Sequence, residues 1–462
     1  MIYGENFKLS LSIIILAAGQ GKRMHSDKPK VLNLLAGKPL IRHVYETATK
    51  IDYRKIYIVY GHGADQVLRA LDEDSKISWV EQKEQLGTGH AVKQVLPDIP
   101  NDDHVLVLYG DVPLISEASL MKLVNAATDS DFSLLTAYFD EPYGYGRIIR
   151  NDNDNIISII EEKDASEKQK EISEVNAGFM VVKAELLNEC VNSLNNQNKQ
   201  EEYYLTDIVA LAVNKKTKVS TVLAESTIEV QGINTRAQLS EAERYYQVLQ
   251  AHDLMDKGVG ISDPSRFDLR GNLQAGSDIE IDVNVVMEGK IKMGDNVYIA
   301  PNCIIKNSVI GNNVQVLANS IIENSIIGKD CVIGPFARIR PDSVLGEHVH
   351  VGNFVEVKKS SLGNRTKANH LSYIGDAEVG IDTNIGAGVI TCNYDGADKH
   401  KTVIGNDVFV GSDAQLIAPI TIQDGSTIAA GATITKDVAS DSLAISRIEQ
   451  KTIPSWDRPR KK

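Results

Sequence analysis

The sequence contains few cysteines, and their spacing does not suit a metal site. Only 4 of the 462 residues are cysteine, namely Cys190, Cys303, Cys331 and Cys392. They form no Cys-x-x-Cys pair and no Cys/His ligand spacing, which excludes the usual zinc sites. Free thiols are typical of a reducing compartment, so we expect a cytoplasmic protein.

Long apolar runs and an excess of positive charge are also missing. No run approaches the roughly 20 apolar residues that a membrane-spanning helix needs. The run at 9–18 lacks the basic start of a signal peptide and leads into a glycine-rich loop, so we interpret it as a buried strand. The formal net charge of -13 argues against nucleic acid as a partner. An anionic substrate must therefore meet positive charge that is gathered locally.

What the sequence does have is a repeat of six residues in its C-terminal part. A helix repeats near 3.6 residues and a strand near 2, so neither produces this period. A coil whose flat faces each use six residues does, because one residue per face then points inward. The pattern predicts a β-helix of hexapeptide repeats. Its two clearest runs are Ile327, Ile333, Ile339, Leu345, Val351 and Val357, then Ile404, Val410, Leu416, Ile422, Ile428 and Ile434.

Two details of this repeat lead to further expectations. Glycine follows many inward positions, as in Ile327-Gly328, and we interpret these glycines as corners that need a positive φ. The rhythm breaks between 357 and 374 and again between 385 and 404. Both breaks predict loops that leave the coil, where binding residues usually lie. His370 falls in the first break and Asn393 in the second.

The first half of the chain alternates short apolar runs with helical stretches. Runs at 12–16, 56–60 and 105–109 predict strands, and 40–50 and 116–127 predict helices. This alternation indicates a parallel sheet covered by helices, with functional loops at the carboxyl ends of the strands. Length alone would permit about three domains, but a solenoid grows without a new core. We therefore predict domains at 1–234 and 259–462, joined by a linker helix at 235–258 that Gly258 caps.

The first strand runs into a glycine-rich loop that suits phosphate. Backbone N–H groups in such a loop approach phosphate oxygens closely, and Arg23 and Lys30 add positive charge. The loop is neither a Walker A motif nor a dinucleotide fingerprint, and alone an ordinary turn explains it equally well. Asp111, which closes the strand at 105–109, is either a turn residue or a Mg²⁺ ligand.

Taken together, the motifs resemble those of sugar nucleotidyltransferases. The resemblance rests on Leu16-x-x-Gly-x-Gly-x-Arg-Met, Pro29-Lys30, and the segments at 85–91 and 108–111. With 145–148, 161–164, 175–178, 232–235 and the repeats, the chain from about 9 to 458 resembles the bifunctional GlmU family, which makes UDP-N-acetylglucosamine from glucosamine 1-phosphate. The resemblance implies a Rossmann-like α/β nucleotidyltransferase domain with a mostly parallel sheet, followed by a left-handed parallel β-helix.

For the first domain, the resemblance implies a site for UTP, N-acetylglucosamine 1-phosphate and Mg²⁺. Asp111 and Asn234 would bind Mg²⁺. Lys22 stands where relatives often have Thr. The sugar-phosphate residues would be Tyr109, Gly110, Gly146, Glu161, Asn176 and Asn234. The nucleotide would be bound by Leu16, Ala17, Ala18, Gly19, Gly21, Arg23, Lys30, Gln82, Gly87 and Thr88, the last three facing the uracil.

For the second domain, the resemblance implies acetyl transfer from acetyl-CoA to glucosamine 1-phosphate. His370 would be the general base, oriented by Glu356. The sugar phosphate would be held by Arg340, Lys358, Tyr373 and Asn384. Acetyl-CoA would contact Ala387, Asn393, Tyr394, Ser412, Ala430 and Arg447. The resemblance also implies a homotrimer with acetyl sites between subunits, in a bacterial cytoplasm.

Blander interpretations and two rival functions remain open at this stage. His370 could be an ordinary surface histidine, and Lys358-Lys359 a solvated pair. The chain could be a glucose 1-phosphate adenylyl- or thymidylyltransferase whose repeats only assemble or regulate it, although His370 speaks against that. It could also be a scaffold with a retained nucleotide fold, although a scaffold has no need for Arg23, Lys30 and Asp111 together.

Overall fold

The computed structural model describes residues 9–19, 22–24, 26, 28–61, 64–71 and 76–461. The chain divides into two compact units, Met1–Tyr246 and Gln247–Lys462. Their boundary falls inside the long helix predicted as a linker, and the domain limits at 234 and 258 stay predictions. Within the described ranges, no helix is both long and apolar enough to cross a membrane.

The first unit is a sheet with helices on both faces, and its last helix, α8, continues into the second unit. The helices are α1 (Leu40–Ala48), α2 (Ala64–Ala70), α3 (Thr88–Val95), α4 (Glu117–Ala126), α5 (Glu167–Lys170), α6 (Ala184–Asn192), α7 (Ile208–Asn214) and α8 (Arg236–Asp256). The strands are β1 (Leu11–Leu16), β2 (Leu34–Leu35), β3 (Lys38–Pro39), β4 (Lys55–Tyr60), β5 (Ile77–Glu81), β6 (His104–Tyr109), β7 (Phe132–Tyr138), β8 (Arg147–Arg150), β9 (Ile156–Ile160), β10 (Glu174–Lys183) and β11 (Val219–Leu223).

The main sheet has the order β11-β7-β10-β6-β1-β4-β5 and is parallel except at β10. β1 is buried along its whole length because it lies inside the sheet with helices on both sides. Ile13 and Ile15 enter one apolar cluster, whereas Ile14 and Leu16 enter another. This two-sided burial explains the continuous apolar run of β1 and confirms the predicted parallel α/β sheet.

The second unit consists almost entirely of short strands. They are β12 (Gly260–Ile261), β13 (Phe267–Gln274), β14 (Glu280–Ile281), β15 (Val285–Met293), β16 (Tyr298–Ile299), β17 (Ile304–Lys306), β18 (Val309–Ile310), β19 (Gln315–Val316), β20 (Ile321–Glu323), β21 (Ile326–Ile327), β22 (Val332–Ile333), β23 (Arg338–Ile339), β24 (Val344–Leu345), β25 (His350–Asn353), β26 (Glu356–Lys358), β27 (Ser361–Leu362), β28 (Lys367–His370), β29 (Tyr373–Gly375), β30 (Ala377–Val379), β31 (Asn384–Ile385), β32 (Ile390–Cys392), β33 (Thr402–Ile404), β34 (Phe409–Val410), β35 (Gln415–Ile417), β36 (Ile420–Ile422), β37 (Thr427–Ile428), β38 (Thr433–Ile434) and β39 (Leu443–Ala444).

These strands stack in parallel on three faces. The first face runs from β12 to β39 as its own sheet, the second includes β23, β26, β29 and β32, and the third includes β24, β27, β30 and β33. One coil takes 18 residues where Val332 pairs with His350. The twelve inward residues of the two predicted runs are all buried. The six-residue period is therefore confirmed as a parallel β-helix of hexapeptide repeats.

The glycines that follow inward residues have a different role from the predicted one. Gly328, Gly346 and Gly405 do not have a positive φ. The left-handed conformation falls two residues later, on Asp330 (φ 59°) and Asp407 (φ 53°), because aspartate tolerates it better than most residues do. The glycines are needed for close stacking, since a Cβ on Gly328 would lie 2.4 Å from the carbonyl oxygen of Gly346.

We expect Gly328→Ala to destabilise the second unit by about 1–3 kcal/mol, because the backbone of the next coil must shift to admit the methyl group. Denaturant unfolding followed by circular dichroism measures this change. Lys329→Ala, at the exposed neighbouring position, is the control, with an expected change below about 0.5 kcal/mol. Equal stability of the two variants would contradict the close-stacking explanation.

The first predicted loop does not form. Leu362 and Ala368 point inward and are buried, so the coil continues through the break. It is one residue shorter than the 18-residue coil, since Glu356 pairs with Tyr373 seventeen residues on. His370 consequently ends a regular strand, β28, and does not belong to an excursion.

The second predicted loop is present. Across it the pairing distance rises to 25 residues, from Asn384 to Phe409. The extra residues leave the coil between β32 and β33, where a bridge between Tyr394 and Lys399 closes a short hairpin. Asn393 thus lies at the base of a true excursion from the β-helix.

Candidate functional site

A cavity of about 680 Å³ opens at the carboxyl ends of β1 and β6 in the first unit. It contains nine of the ten predicted nucleotide-binding residues, and Tyr109 and Asp111 as well. Gly21 and the side chain of Lys22 lie outside the described residues. The cavity is lined by Leu16, Ala17, Ala18, Gly19, Arg23, Lys30, Val31, Gln82, Gln85, Gly87, Thr88, Ala91, Tyr109, Asp111 and Glu202.

Two oxygen atoms in this site converge on one cation. The Lys30 ammonium contacts the Asp111 carboxylate and donates to Asn234 Oδ1 at 2.9 Å. Arg23 Nη2 donates to the same amide oxygen at 2.9 Å. The structure therefore brings the two predicted metal ligands together with both predicted phosphate cations. These four residues come from three distant parts of the chain.

The pair of oxygens fits Mg²⁺, which usually takes one or two protein carboxylates and completes its shell with water and substrate phosphates. The described residues hold no cluster of three or more His, Cys, Asp or Glu. An ion here would therefore depend on Asp111, Asn234 and the phosphates. Lys30 would then be released to pair with a phosphate oxygen.

The loop after β5 forms the wall opposite the phosphate cations. Gly87 begins α3 with φ +108°, and a Cβ there would lie 2.7 Å from the carbonyl oxygen of Tyr203. Thr88 Oγ1 accepts from the N–H of Leu205 at 3.1 Å. The segment at 203–205 thus fixes the loop, and only glycine allows this close approach at position 87.

The predicted sugar-binding residues surround a buried carboxylate. Glu161 Oε1 accepts from Thr206 Oγ1 at 2.8 Å, and burial raises the pKa of Glu161. A Cβ on Gly146 would lie 3.5 Å from Glu161 Oε1. The carbonyl of Gly146 accepts from the N–H of Asn176 at 2.8 Å. Thr206 was missed by the sequence reasoning, since no motif marks it.

Tyr109 and Gly110 lie where the sugar side and the phosphate side meet. Gly110 donates its N–H to the carbonyl of Leu16 at 2.9 Å, which joins the ends of β1 and β6. The ring of Tyr109 lies against Gly178, whose φ is +89° and whose added Cβ would be 3.0 Å from that ring. Burial raises the pKa of Tyr109, so its hydroxyl stays protonated at neutral pH.

In the second unit, His370 is held by a residue that the sequence reasoning missed. His370 Nδ1 lies 2.9 Å from Asn353 Oδ1, one coil earlier in the paired strands β25 and β28. Glu356, predicted to orient His370, instead accepts from Arg340 Nη1 at 2.7 Å. That prediction was wrong because Glu356 lies on the next face, beyond the corner. Counting one coil back from His370 would have found Asn353.

Several predicted acetyl-CoA residues follow His370 along one edge of the β-helix. The N–H after each position donates to the carbonyl one coil earlier, as Gly388 does to His370 (3.4 Å) and Asp413 to Ala387 (2.7 Å). Arg447 Cδ lies 3.9 Å from the position of a Cβ on Gly431, which directly follows Ala430. We call this row the His370 edge. It comprises Asn353, His370, Ala387, Ser412, Ala430 and Arg447.

A second group gathers at the other end of the second face. Asn393 Nδ2 donates to Asp376 Oδ2 at 2.5 Å and to the Tyr373 hydroxyl at 3.4 Å. Lys358 Nζ is 4.0 Å from the same Asp376 oxygen. The neighbouring Lys358 ammonium lowers the pKa of Lys399, as adjacent like charges do. Sequence reasoning missed Asp376 and Lys399, which have no recognisable motif.

The remaining predicted residues do not join one cluster within a single chain. Asn384 lies on the first face between Lys367 and Phe409, on the other side of the His370 edge from Lys358. The Tyr394 hydroxyl donates to the carbonyl of Gly396 at 2.6 Å, within the excursion itself. The predicted acetyl site is therefore distributed over two edges of the β-helix.

Comparison with known families agrees with this division. Residues 13–169 match the MobA-like NTP transferase domain, residues 269–362 the GMPPB C-terminal domain, and residues 401–436 the bacterial transferase hexapeptide (six repeats). Among solved structures, the chain is similar to a UDP-glucose pyrophosphorylase complexed with UDP-glucose. The identity is 18% over 52% of this chain and 98% of that chain, with a TM-score of 0.43.

The chain thus joins a nucleotidyltransferase α/β domain to a C-terminal hexapeptide-repeat β-helix, as the sequence predicted. These two domains support transferase activity, with nucleotide and sugar-phosphate substrates for the first domain. Hexapeptide repeats of the bacterial transferase type indicate acyl transfer for the second domain.

Proposed function

We propose that the protein makes UDP-N-acetylglucosamine in two steps. The second unit acetylates glucosamine 1-phosphate with acetyl-CoA, and the first transfers UMP from UTP to N-acetylglucosamine 1-phosphate with release of pyrophosphate. The observation that carries the proposal is that one chain contains both a phosphate-suited cavity around Asp111 and a solvent-facing His370 with an ordered partner. This is the activity of the GlmU family that the sequence resembles.

In the first step of the chemistry at the nucleotide cavity, two anions must be held in line. A phosphate oxygen of the sugar phosphate attacks the α-phosphorus of UTP, and pyrophosphate leaves, so no covalent nucleophile is required. Arg23 and Lys30 reduce the repulsion and stabilise negative charge on the leaving group. Mg²⁺ bound by Asp111 and Asn234 would supply further charge stabilisation. The Glu161 carboxylate would accept a hydrogen bond from a sugar hydroxyl.

At the acetyl site, the Asn353–His370 pair determines which imidazole nitrogen is the base. Asn353 Oδ1 can only accept, so His370 Nδ1 carries the proton and Nε2 keeps its lone pair. His370 Nε2 would take a proton from the amine of glucosamine 1-phosphate as that amine attacks the thioester carbonyl. The C–S bond then breaks and CoA leaves as a thiolate, which is protonated on release. Arg340 and Lys358 would bind the phosphate.

An apolar ridge beside the His370 edge supports a trimer. Phe336 and Phe354 stack with ring centroids 5.4 Å apart, yet they are 49% and 56% exposed. Leu371, next to His370, is 63% exposed. All three have a positive φ near 50–57°, a conformation that costs more for large apolar residues than for Asn or Asp. A second copy of this chain packed on the ridge would justify that cost and approach His370.

We expect Phe354→Asn to dissociate the trimer and reduce acetyl transfer at least tenfold, because a tenfold loss requires only about 1.4 kcal/mol of interface energy. Asparagine suits the left-handed backbone, so the coil itself should not be weakened. Light scattering and an acetyl-transfer assay over a concentration series measure both effects. Asp342→Asn, at a corner with φ 63°, is the control. An active monomer would contradict shared acetyl sites.

A product mass spectrum tests the whole proposal. The purified protein is mixed with glucosamine 1-phosphate, acetyl-CoA, UTP and Mg²⁺, and UDP-N-acetylglucosamine with free CoA is the expected result. A reaction only when N-acetylglucosamine 1-phosphate replaces the amine would remove the acetyl-transfer half. Substituting ATP or dTTP with glucose 1-phosphate tests the rival nucleotidyltransferases. Absence of UTP binding in a calorimetric titration would favour a scaffold.

A further inference from the structure

A buried amide in the nucleotide cavity has its orientation fixed by its neighbours. Gln82 is 4% exposed and lines the cavity. Its Nε2 lies 3.1 Å from the carbonyl oxygen of Gly87. A carbonyl oxygen can only accept, so the end of the amide that faces Gly87 must be the NH₂ group. Gln82 is therefore held with its nitrogen toward the loop.

The same nitrogen also contacts a histidine that the proposed chemistry does not use. Gln82 Nε2 lies 3.1 Å from His90 Nδ1, so Nδ1 must be the unprotonated, accepting nitrogen. The ring proton is then on Nε2, which lies 3.1 Å from the side-chain amide of Gln94. Gln94 can accept that proton through its oxygen. The hydrogen bonds thus select one neutral tautomer of His90.

His90 lies behind the nucleotide cavity. It lines a separate cavity of about 310 Å³, together with Gln94, Leu86 and Tyr203, on the other side of the loop. It is absent from the lining of the nucleotide cavity. Any influence of His90 on a bound base must therefore pass through Gln82.

This arrangement has a consequence for base recognition. Both N–H groups of Gln82 are engaged, one by Gly87 and one by His90. Only the carbonyl oxygen Oε1 is left for a base in the cavity. An acceptor suits the N3–H donor of uracil or thymine, whereas cytosine has a lone pair at N3. Two lone pairs that face each other are repelled, which rejects the wrong base.

We propose that His90 is a positioning residue for base selection: by accepting from Gln82 it keeps an acceptor oxygen directed at the imide N–H of the base. The inference rests on the proposed function in that the nucleotide is taken to be UTP and Gln82 to face its base. It adds a residue outside the cavity and a stated polarity for Gln82. It also predicts that thymine nucleotides share the effect, because thymine carries the same imide.

Nucleotide binding measured by calorimetry, with UTP, dTTP and CTP and no sugar phosphate, tests this inference on the full-length protein. In His90→Phe the ring remains but the acceptor is lost, and one N–H of Gln82 is unpaired. We expect UTP and dTTP to bind about tenfold more weakly, from the loss of one buried hydrogen bond. CTP binding should change by less than about threefold, because Gln82 is then free to turn its NH₂ group to the base.

His90→Asn is the matched control, because its Oδ1 can take the place of Nδ1 and restore the preference for UTP. In steady-state assays, His90→Phe should raise the KM for UTP and leave kcat nearly unchanged. Gln94→Met provides a second, milder variant in case His90→Phe does not fold. It removes the acceptor for His90 Nε2–H and should shift the UTP-to-CTP ratio in the same direction.

Two results would overturn the inference. If the affinities for UTP and CTP fall equally in His90→Phe, His90 only supports the loop. If the wild type prefers UTP and the variants keep that preference, Gln82 is oriented without His90, and the proposed function is unaffected. Failure of the wild type to bind UTP at all would instead refute the proposed function, and the inference with it.

Discussion

Asp111→Asn is expected to reduce uridylyl transfer by at least about 10³-fold, which corresponds to a loss of about 4 kcal/mol of transition-state stabilisation. Asn keeps the shape of the side chain but removes the charge that would hold Mg²⁺. The Lys30 ammonium would lose its ion-pair partner in the cavity. Pyrophosphate release measured over a Mg²⁺ series gives the effect.

The variant should still bind UTP, because Arg23 and Lys30 remain and the cavity becomes more positive. Acetyl transfer by the same preparation is the internal control for folding. Asp102→Asn makes the same substitution in the exposed turn before β6, at the other end of the strand, and should leave both activities unchanged. Full uridylyl transfer by Asp111→Asn at ordinary Mg²⁺ would sink the assignment of the metal site.

The repeats and the sheet could be predicted from the sequence because each leaves a periodic pattern. Inward residues such as Ile333 and Val351 must be apolar in every coil, so the period of six survives local variation. The apolar runs of β1 and β6 reflect burial on both faces of the sheet. The first break failed as a prediction for a physical reason: a coil can drop one residue at a corner, and Leu362 then still points inward.

The candidate site could be predicted only where a motif marked it. Asp111 and Arg23 belong to recognisable segments, and the structure brings them to one cavity. Partners such as Thr206 and Asp376 were not found, because a hydrogen bond between distant segments leaves no local pattern. Asn353 is an intermediate case. The register of a β-helix relates residues one coil apart, so His370 and the repeat length together would have indicated it.

His370→Ala is expected to lose about 10²–10⁴-fold in acetyl transfer, the usual contribution of a general base, while uridylyl transfer is unchanged. The imidazole is exposed, and its one described hydrogen bond to a side chain is that with Asn353, so removing it should not disturb the coil. CoA release, followed with a thiol reagent, measures the first activity, and pyrophosphate release measures the second.

Asn353→Ala separates the role of the base from that of its partner. The imidazole remains, but the hydrogen bond that selects the Nδ1–H tautomer is lost, and we expect about a tenfold fall in acetyl transfer. His252→Ala, on the exposed face of α8, is the control for a histidine-to-alanine change. If His370→Ala keeps full acetyl transfer, His370 is an ordinary surface histidine. If Asn353→Ala is as inactive as His370→Ala, the imidazole acts only in the orientation that Asn353 imposes.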